Sequence, residues 1–248
     1  MRLKSREKVI IDCLCERGEA TVAELCRELY VSEPTVRRAL SSLAEAGLII
    51  RTHGGAVYKG EPGVNLPLFF REREHSEAKR AIAARCLELI GDADTVMVDG
   101  SSTALALLRV IDARPNVAVI TNSAKAALLL AERGVKTYVT GGELDPGSFC
   151  YVGSYAESFI RSHSADICFF SVRTLSPEGK LTDNAIAENA VRRVMMENSS
   201  KSCLMLDSQK IAPPCLNTLC HLADVDFVVS ECDISERFPL YREKLLCP

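Results

Sequence analysis

The chain has 248 residues, with 30 lysines and arginines against 33 acidic residues and a formal net charge of −3. That balance excludes a uniformly basic nucleic-acid binder, and no run of about 18 apolar residues is present to span a bilayer. The length suits a small domain followed by one of about 150 to 190 residues that can bury its own core. Charges at the N-terminus are not followed by an apolar h-region, so a soluble, cytoplasmic protein is expected.

In chain order, residues 5–17 predict a helix ended by Gly18, with Val9, Ile10, Cys13 and Leu14 facing inward. Thr21 and Glu24 form a capping box that starts a second helix over 22–29. Ser32 caps a third, with Pro34 in its first turn where a missing N–H is harmless. A connection of about three residues forces the two helices to cross steeply, the geometry of a helix-turn-helix. Val36, Leu40 and Leu43 face inward at helical spacing, leaving Thr35, Arg37, Arg38, Ser41 and Ser42 outward. Gly47 is expected to end this helix in a left-handed cap. Residues 48–51 and 56–58 then read as two short strands around His53, Gly54 and Gly55, the wing of a winged helix.

Positive charge is local, in Arg2, Lys4, Arg6 and Lys8 and again in Arg37, Arg38, Arg51 and His53. Arginine can fork onto guanine or clamp a phosphate, and hydroxyls near a helix N-terminus suit phosphate oxygens. Double-stranded operator DNA is therefore the expected partner. The candidate contacts are Thr21, Ser32, Thr35, Arg37, Arg38, Ser41, Arg51, His53, Gly54 and Gly55. A three-helix protein-interaction module with a solvated basic face is the alternative. The capping box, short turn, paired arginines and glycine hairpin together favour DNA.

Gly60, Pro62, Gly63 and Pro67 mark a linker, with Phe69 and Phe70 anchoring its far end. The expected domains are thus 1–58 for DNA, 59–75 as linker and 76–248 for sensing. From residue 76 helices alternate with short apolar strands: helices over 76–90, 103–111, 123–132, 155–161 and 185–198, strands over 95–98, 117–120, 136–139, 167–171, 203–206 and 227–229, and a C-terminal helix. Such alternation predicts an α/β fold with a mainly parallel sheet covered on both faces.

Ligands of such sheets bind beyond the carboxyl ends of the strands, where polar residues gather here. Asp99, Gly100, Ser101, Ser102 and Thr103 follow one strand and open a helix, offering N–H groups, hydroxyls and a positive dipole end to a phosphate. Thr121, Asn122 and Ser123, then Gly141 and Gly142, and finally Asp207, Ser208, Gln209 and Lys210 end others. A shared small-molecule pocket is expected, with Lys210 set against the same anion.

The 11 cysteines are odd in number and include no CxxC pair, which supports neither zinc nor a disulfide framework. Cys13 and Cys15, two apart on a helix, do not face each other. Cys86, Cys168 and Cys203 lie in apolar segments as small buried thiols. Cys215, Cys220 and His221 are the only loose cluster and read as reduced thiols and a histidine rather than a metal site. No metal and no cofactor are expected.

VSEPTVRRAL followed by IRTHGGAV resembles the N-terminal signature of the DeoR-type bacterial transcriptional regulators. Ala39 departs from the family's usual aspartate, which bears on which operator is read. DGSST, VITNS, TGGEL, YVGSYAE, ADICFF and LDSQK resemble the ordered motifs of that family's sensor domain. The resemblance implies a fold similar to ribose-5-phosphate isomerase and a phosphorylated sugar or related metabolite as effector. It matches 99–103 to the family's phosphate loop, Thr121 and Asn122 to its second ligand loop, and Lys210 to its ligand lysine. SVRTLSPEG at 171–179 replaces a more glycine-rich segment and Gln209 replaces a serine.

Two functions compete. A regulator changes its operator affinity when the pocket fills, which requires different ligand affinity in its two states. A sugar-phosphate isomerase would use Asp183 or Glu188 to remove a proton beside a carbonyl. Both acids also read as ordinary charges at a helix start, and an enzyme leaves the first 58 residues without a purpose. The expected protein is a regulator and not an enzyme, a repressor by family resemblance. It is expected to be a homodimer or homotetramer, because one winged helix reads too few base pairs.

Overall fold

The computed structural model describes residues 5–45, 48–58, 68–91, 95–113 and 116–247. Contacts divide the chain into two units, Met1–Glu74 and His75–Pro248.

In the first unit the elements are α1 (Ser5–Arg17), β1 (Glu19–Thr21), α2 (Val22–Leu29), α3 (Glu33–Glu45), β2 (Ile49–Arg51), β3 (Gly55–Tyr58) and α4 (Leu68–Arg71). The capping box forms: Glu24 N donates to Thr21 Oγ1 at 3.2 Å while Thr21 N donates to Glu24 Oε2 at 2.8 Å. That backbone bond from Thr21 is the main reason the Glu24 carboxyl lies below its ordinary range. Between α2 and α3, Ser32 O accepts from Thr35 N and Val36 N. Val36, Leu40 and Leu43 are buried together with Ile10, Leu14 and Leu25.

Two expectations need correction here. Val9 is 38% exposed, and Ile11 is buried in its stead. Positions 10, 11 and 14 share a helical face that residue 9 leaves. The wing is also three-stranded, in the order β1-β3-β2, because Glu19–Thr21 pairs antiparallel with β3. The close approach of β1 dictates Gly55, where a Cβ would stand 2.1 Å from Ala20 O. Gly47 and residues 59–67 of the expected linker lie outside the described residues. Its far end is the helical turn α4, where Leu68 is buried; the side chains of Phe69 and Phe70 are outside the description as well.

The second unit contains α5 (Ser76–Leu87), β4 (Thr95–Val98), α6 (Ser102–Val110), β5 (Ala118–Thr121), α7 (Ala124–Glu132), β6 (Lys136–Val139), β7 (Glu143–Leu144), β8 (Tyr151–Val152) and α8 (Ser154–Arg161). Then come β9 (Ile167–Phe170), β10 (Thr174–Leu175), β11 (Lys180–Asp183), α9 (Ile186–Glu197), β12 (Ser202–Leu206), β13 (Asn217–His221), β14 (Phe227–Ser230) and β15 (Leu245–Leu246). Seven strands form one parallel sheet in the order β15-β14-β12-β9-β4-β5-β6. Met97, Cys168, Phe170, Leu204 and Val228 pack with Ala156, Ile160, Val191 and Met195 of α8 and α9. By the alternation of a strand, the equally buried Val96, Val98, Phe169, Cys203 and Met205 serve the other face, where α5 and α6 pack.

Two small elements were not expected: the β7–β8 hairpin and an antiparallel sheet β10-β11-β13. The expected C-terminal helix is a 3-10 segment, Pro239–Lys244, which runs into β15 at the sheet edge. Leu245–Leu246 pairs with β14 directly after it, so the segment stays a short turn closed by i→i+3 bonds. Lys244 Nζ fixes the segment by donating to Ala223 O at 2.6 Å and Val225 O at 2.7 Å.

Candidate nucleic-acid interface and small-molecule site

On α3 the polar residues stand outside the core. Arg37 and Arg38 are exposed, and Thr35, Ser41 and Ser42 are half-buried. Arg37 donates through Nε and Nη2 to Glu33 Oε2, and Arg38 Nε donates to Pro34 O. The Arg37–Glu33 pair is an exposed i,i+4 contact, so releasing it to another anion is inexpensive. Arg51 of the wing donates to Ser41 Oγ at 2.9 Å, which brings strand and helix residues to one surface. Ser32 and Thr35 join hydroxyls at 3.1 Å. His53 and Gly54 are exposed at the wing turn, whereas Gly55 is buried against β1. The Thr21 hydroxyl is held in the capping box, so Thr21 and Gly55 shape the surface more than they present a group to it.

In the second unit β4 lies between β5 and β9, and the chain winds outward from it in both directions, a topological switch point. Register places Val98 beside Thr121 and Phe169, and Thr121 beside Val139, so the loops after these strands are neighbours. Ser101 caps α6 by accepting from Ala104 N at 3.1 Å. Gly100 is required by packing, since a Cβ there would come 2.1 Å from Cys150 Sγ. Ser102 and Thr103 open α6 and are buried.

Lys210 ends the 3-10 turn Ser208–Lys210, and its Nζ donates to Ser171 Oγ at 2.7 Å and to Thr103 Oγ1 at 3.4 Å. Ser171 is thereby a site residue that sequence reasoning missed. The Glu231 carboxylate secures the turn from below by accepting from Ser208 N and its hydroxyl.

On the other side Thr121 Oγ1 accepts from Ser123 N, and Thr140 N donates to Thr121 O just before Gly141 and Gly142. Asn122 is buried and donates through Nδ2 to Tyr151 O at 3.0 Å. Its Oδ1 is buried with no hydrogen-bond partner among the described residues. Such an orphaned acceptor suits a hydroxyl or N–H of a ligand.

Beneath these loops Arg192 donates to Asp99 Oδ2 at 2.7 Å, Asp183 Oδ2 at 2.9 Å, Glu188 Oε2 at 3.0 Å and Asn189 Oδ1 at 2.9 Å. Burial opposes its charge, yet the three carboxylates raise its pKa further above the ordinary guanidinium value. Burial likewise pushes Asp183 up, but Arg192 and the backbone N–H groups of Ala185 and Asn184 carry it below its usual range. A general base works best with a pKa near the working pH, and Asp183 is moved away from that. Both acids of the isomerase reading are therefore engaged with Arg192. Asp99 is buried in the same network, also accepting from Ser101 N, and holds the loop from inside. The i,i+4 spacing of Glu188 and Arg192 was the one sequence signal for this cluster.

Cys86, Cys168 and Cys203 are buried free thiols. Among the described residues no group of three or more His, Cys, Asp or Glu side chains is placed to hold a metal ion. His221 instead engages Glu178 O and Ala223 N. No helix of the described residues is long and apolar enough to cross a membrane.

Residues 74–231 match the family model of the DeoR C terminal sensor domain, and residues 6–61 match that of the DeoR-like helix-turn-helix domain. The HTH-type transcriptional regulator GolR of Listeria innocua is 31% identical over 93% of this chain and 91% of its own length. The L-fucose operon activator of Haemophilus influenzae is 29% identical over 96% of each chain. The glycerol-3-phosphate regulon repressor of Escherichia coli is 27% identical over 93% of this chain and 92% of its own. Among solved structures, a D-ribose-5-phosphate isomerase in complex with phospho-erythronic acid aligns with a TM-score of 0.43 at 13% identity, covering 55% of this chain and 54% of that one. A likeness that slight carries no argument about ligand or activity. The two domain matches span the winged helix and the strand-end loops alike, and the chain belongs to the DeoR family of DNA-binding transcriptional regulators, with a C-terminal sensor domain.

Proposed function

We propose that the protein represses a sugar or carbohydrate operon and that a phosphorylated sugar, bound beyond the strand ends, changes its operator affinity. Lys210 carries this reading: its ammonium meets the Ser171 and Thr103 hydroxyls beside the N-terminus of α6, where cation, hydroxyls and helix dipole all favour a phosphate. Gly100, Ser101, Ser102 and Thr103 surround the phosphate. Asn122 Oδ1 accepts a sugar hydroxyl, with Thr121, Gly141 and Gly142 lining the far side, and Asp99 fixes the loop through Arg192.

Arg37 and Arg38 enter the major groove with Thr35 and Ser41, while Arg51, His53 and Gly54 meet the adjacent backbone and Ser32 a phosphate. Residues 1–58 serve DNA, 76–248 the effector, and 59–75 connect them in a cytoplasmic homodimer or homotetramer. The relatives that act on an L-fucose operon and a glycerol-3-phosphate regulon support a carbohydrate-derived effector. Repression is adopted from the family resemblance.

The test is the melting temperature against a panel of sugar phosphates, each beside its unphosphorylated parent. A ligand at about 100 times its dissociation constant adds about 2.7 kcal/mol to the folded state. Stabilisation by one phosphorylated compound and not by its parent is expected. Stabilisation by a parent sugar alone would overturn the phosphate assignment.

A further inference from the structure

One acidic side chain stands on the surface assigned to DNA. Glu33 is the first residue of α3 and its side chain is 59% exposed, one helical turn before Arg37 and outside the stripe of Val36, Leu40 and Leu43 that meets the core. A carboxylate there is repelled by the phosphates that Arg37, Arg38 and Arg51 attract. Its place among them calls for a reason.

The bonding supplies one. Arg37 donates through Nε and Nη2 to Glu33 Oε2 at 3.3 and 3.2 Å. A guanidinium has five N–H donors, so three remain after these two bonds, enough for a fork onto guanine O6 and N7. Both bonds land on one carboxylate oxygen, which leaves Oε1 for a further donor. It stands at the start of α3, the end whose residues meet base edges when such a helix lies in a major groove.

We infer that Glu33 reads a cytosine, accepting from its N4 amino group, while it holds Arg37 for a guanine close by; this rests on the placement of α3 in the major groove proposed above. In that groove only cytosine and adenine offer amino donors, and adenine sets its N7 acceptor beside the donor, which repels a carboxylate. Cytosine is the partner left. Four residues of α-helix advance about 6 Å, less than two base-pair steps of about 3.4 Å, so the two targets lie within about two pairs of each other. An acid at a helix start also steadies its own helix. The two roles separate in the variants.

The test is selection of bound duplexes from a randomised DNA pool by the full chain, comparing wild type with Glu33→Gln, Glu33→Ala and Arg37→Ala, with circular dichroism to confirm folding. Wild type is expected to enrich a motif in which one C·G pair is preferred about tenfold over the others. Glutamine pairs with adenine N6 and N7 and still accepts from Arg37, so Glu33→Gln should move the preference at that pair to A·T and keep the guanine. Glu33→Ala should leave the pair unread and weaken the guanine, and Arg37→Ala should lose the guanine. The same motif from wild type and both Glu33 variants would overturn the inference, leaving Glu33 a helix partner of Arg37 and the placement of α3 intact. A motif unchanged by Arg37→Ala, or none enriched by wild type, would overturn that placement instead.

Discussion

Arg192 Nε lies 2.7 Å from Asp99 Oδ2, with both side chains at most 3% exposed, at the base of the loop assigned to the phosphate. Breaking such a buried pair from one side typically removes about 3–5 kcal/mol, because the remaining charges lose their partner. Arg192→Met should therefore lower the urea midpoint sharply, leaving Asp99, Asp183 and Glu188 buried without the guanidinium.

The pH dependence of that loss has a definite sign. In the wild type the depressed Asp183 contributes stability above the ordinary carboxylate range, lost as pH falls through its folded-state value. In Arg192→Met burial is left to dominate, Asp183 moves above its unfolded value, and its contribution then grows as pH falls. The stability gap between the two proteins should narrow on acidification from neutral pH. A gap that widens in urea melts over that range would contradict the network.

Gly100→Ala places a Cβ against Cys150 Sγ and should displace the phosphate loop, weakening effector binding with the DNA-binding unit intact. Adding Cys150→Ala removes the sulfur and should restore part of the loss. Calorimetric titration of the single and double variants checks the coupling, and no recovery would mean the loop tolerates the clash.

Gly55→Ala should act on the other unit. Its Cβ would meet the β1 backbone, where nothing flexible can yield, so the wing shifts and operator binding weakens while effector binding stays. Arg37→Ala with Arg38→Ala should weaken DNA by about tenfold or more and flatten its salt dependence, without changing the melting temperature. Gel-shift assays over a salt series distinguish a moved wing from lost arginines.

The thiols give a chemical check of the sensor core. Burial pushes Cys150 and Cys168 up to about 12, so neither offers appreciable thiolate at mildly alkaline pH. Exposed Cys232 and Cys247 should react first with a disulfide reagent, and the buried pair only on unfolding. Fast labelling of Cys150 in the native protein would show that the loop around Gly100 opens.

The local signals were legible and the distant ones were not. Thr21 and Glu24 announce their helix because a capping box is complete within four residues, and the alternation after residue 76 gives the parallel sheet. Arg192 was hidden because two of its three carboxylate partners lie 93 and 9 residues away. The i,i+4 spacing to Glu188 is local, but by itself it reads as an ordinary surface pair on a helix. Asp183 and Glu188 looked like helix-start charges for the same reason. Thr174–Leu175 is a strand of two residues, too short for periodicity, and it forms only because Lys180–Asp183 and Asn217–His221 complete the sheet. β15 likewise exists only because β14 presents an edge.

The most direct measurement of the central claim is anisotropy of a labelled promoter fragment, titrated with a stabilising sugar phosphate, for wild type and Lys210→Ala. The account predicts that the compound changes wild-type affinity for DNA. Lys210→Ala should bind the fragment equally well without ligand and respond only at about 10- to 100-fold higher concentration, the loss of one hydrogen bond to a charged group. An unchanged response in Lys210→Ala, or a ligand that binds wild type with no effect on its DNA affinity, would contradict it.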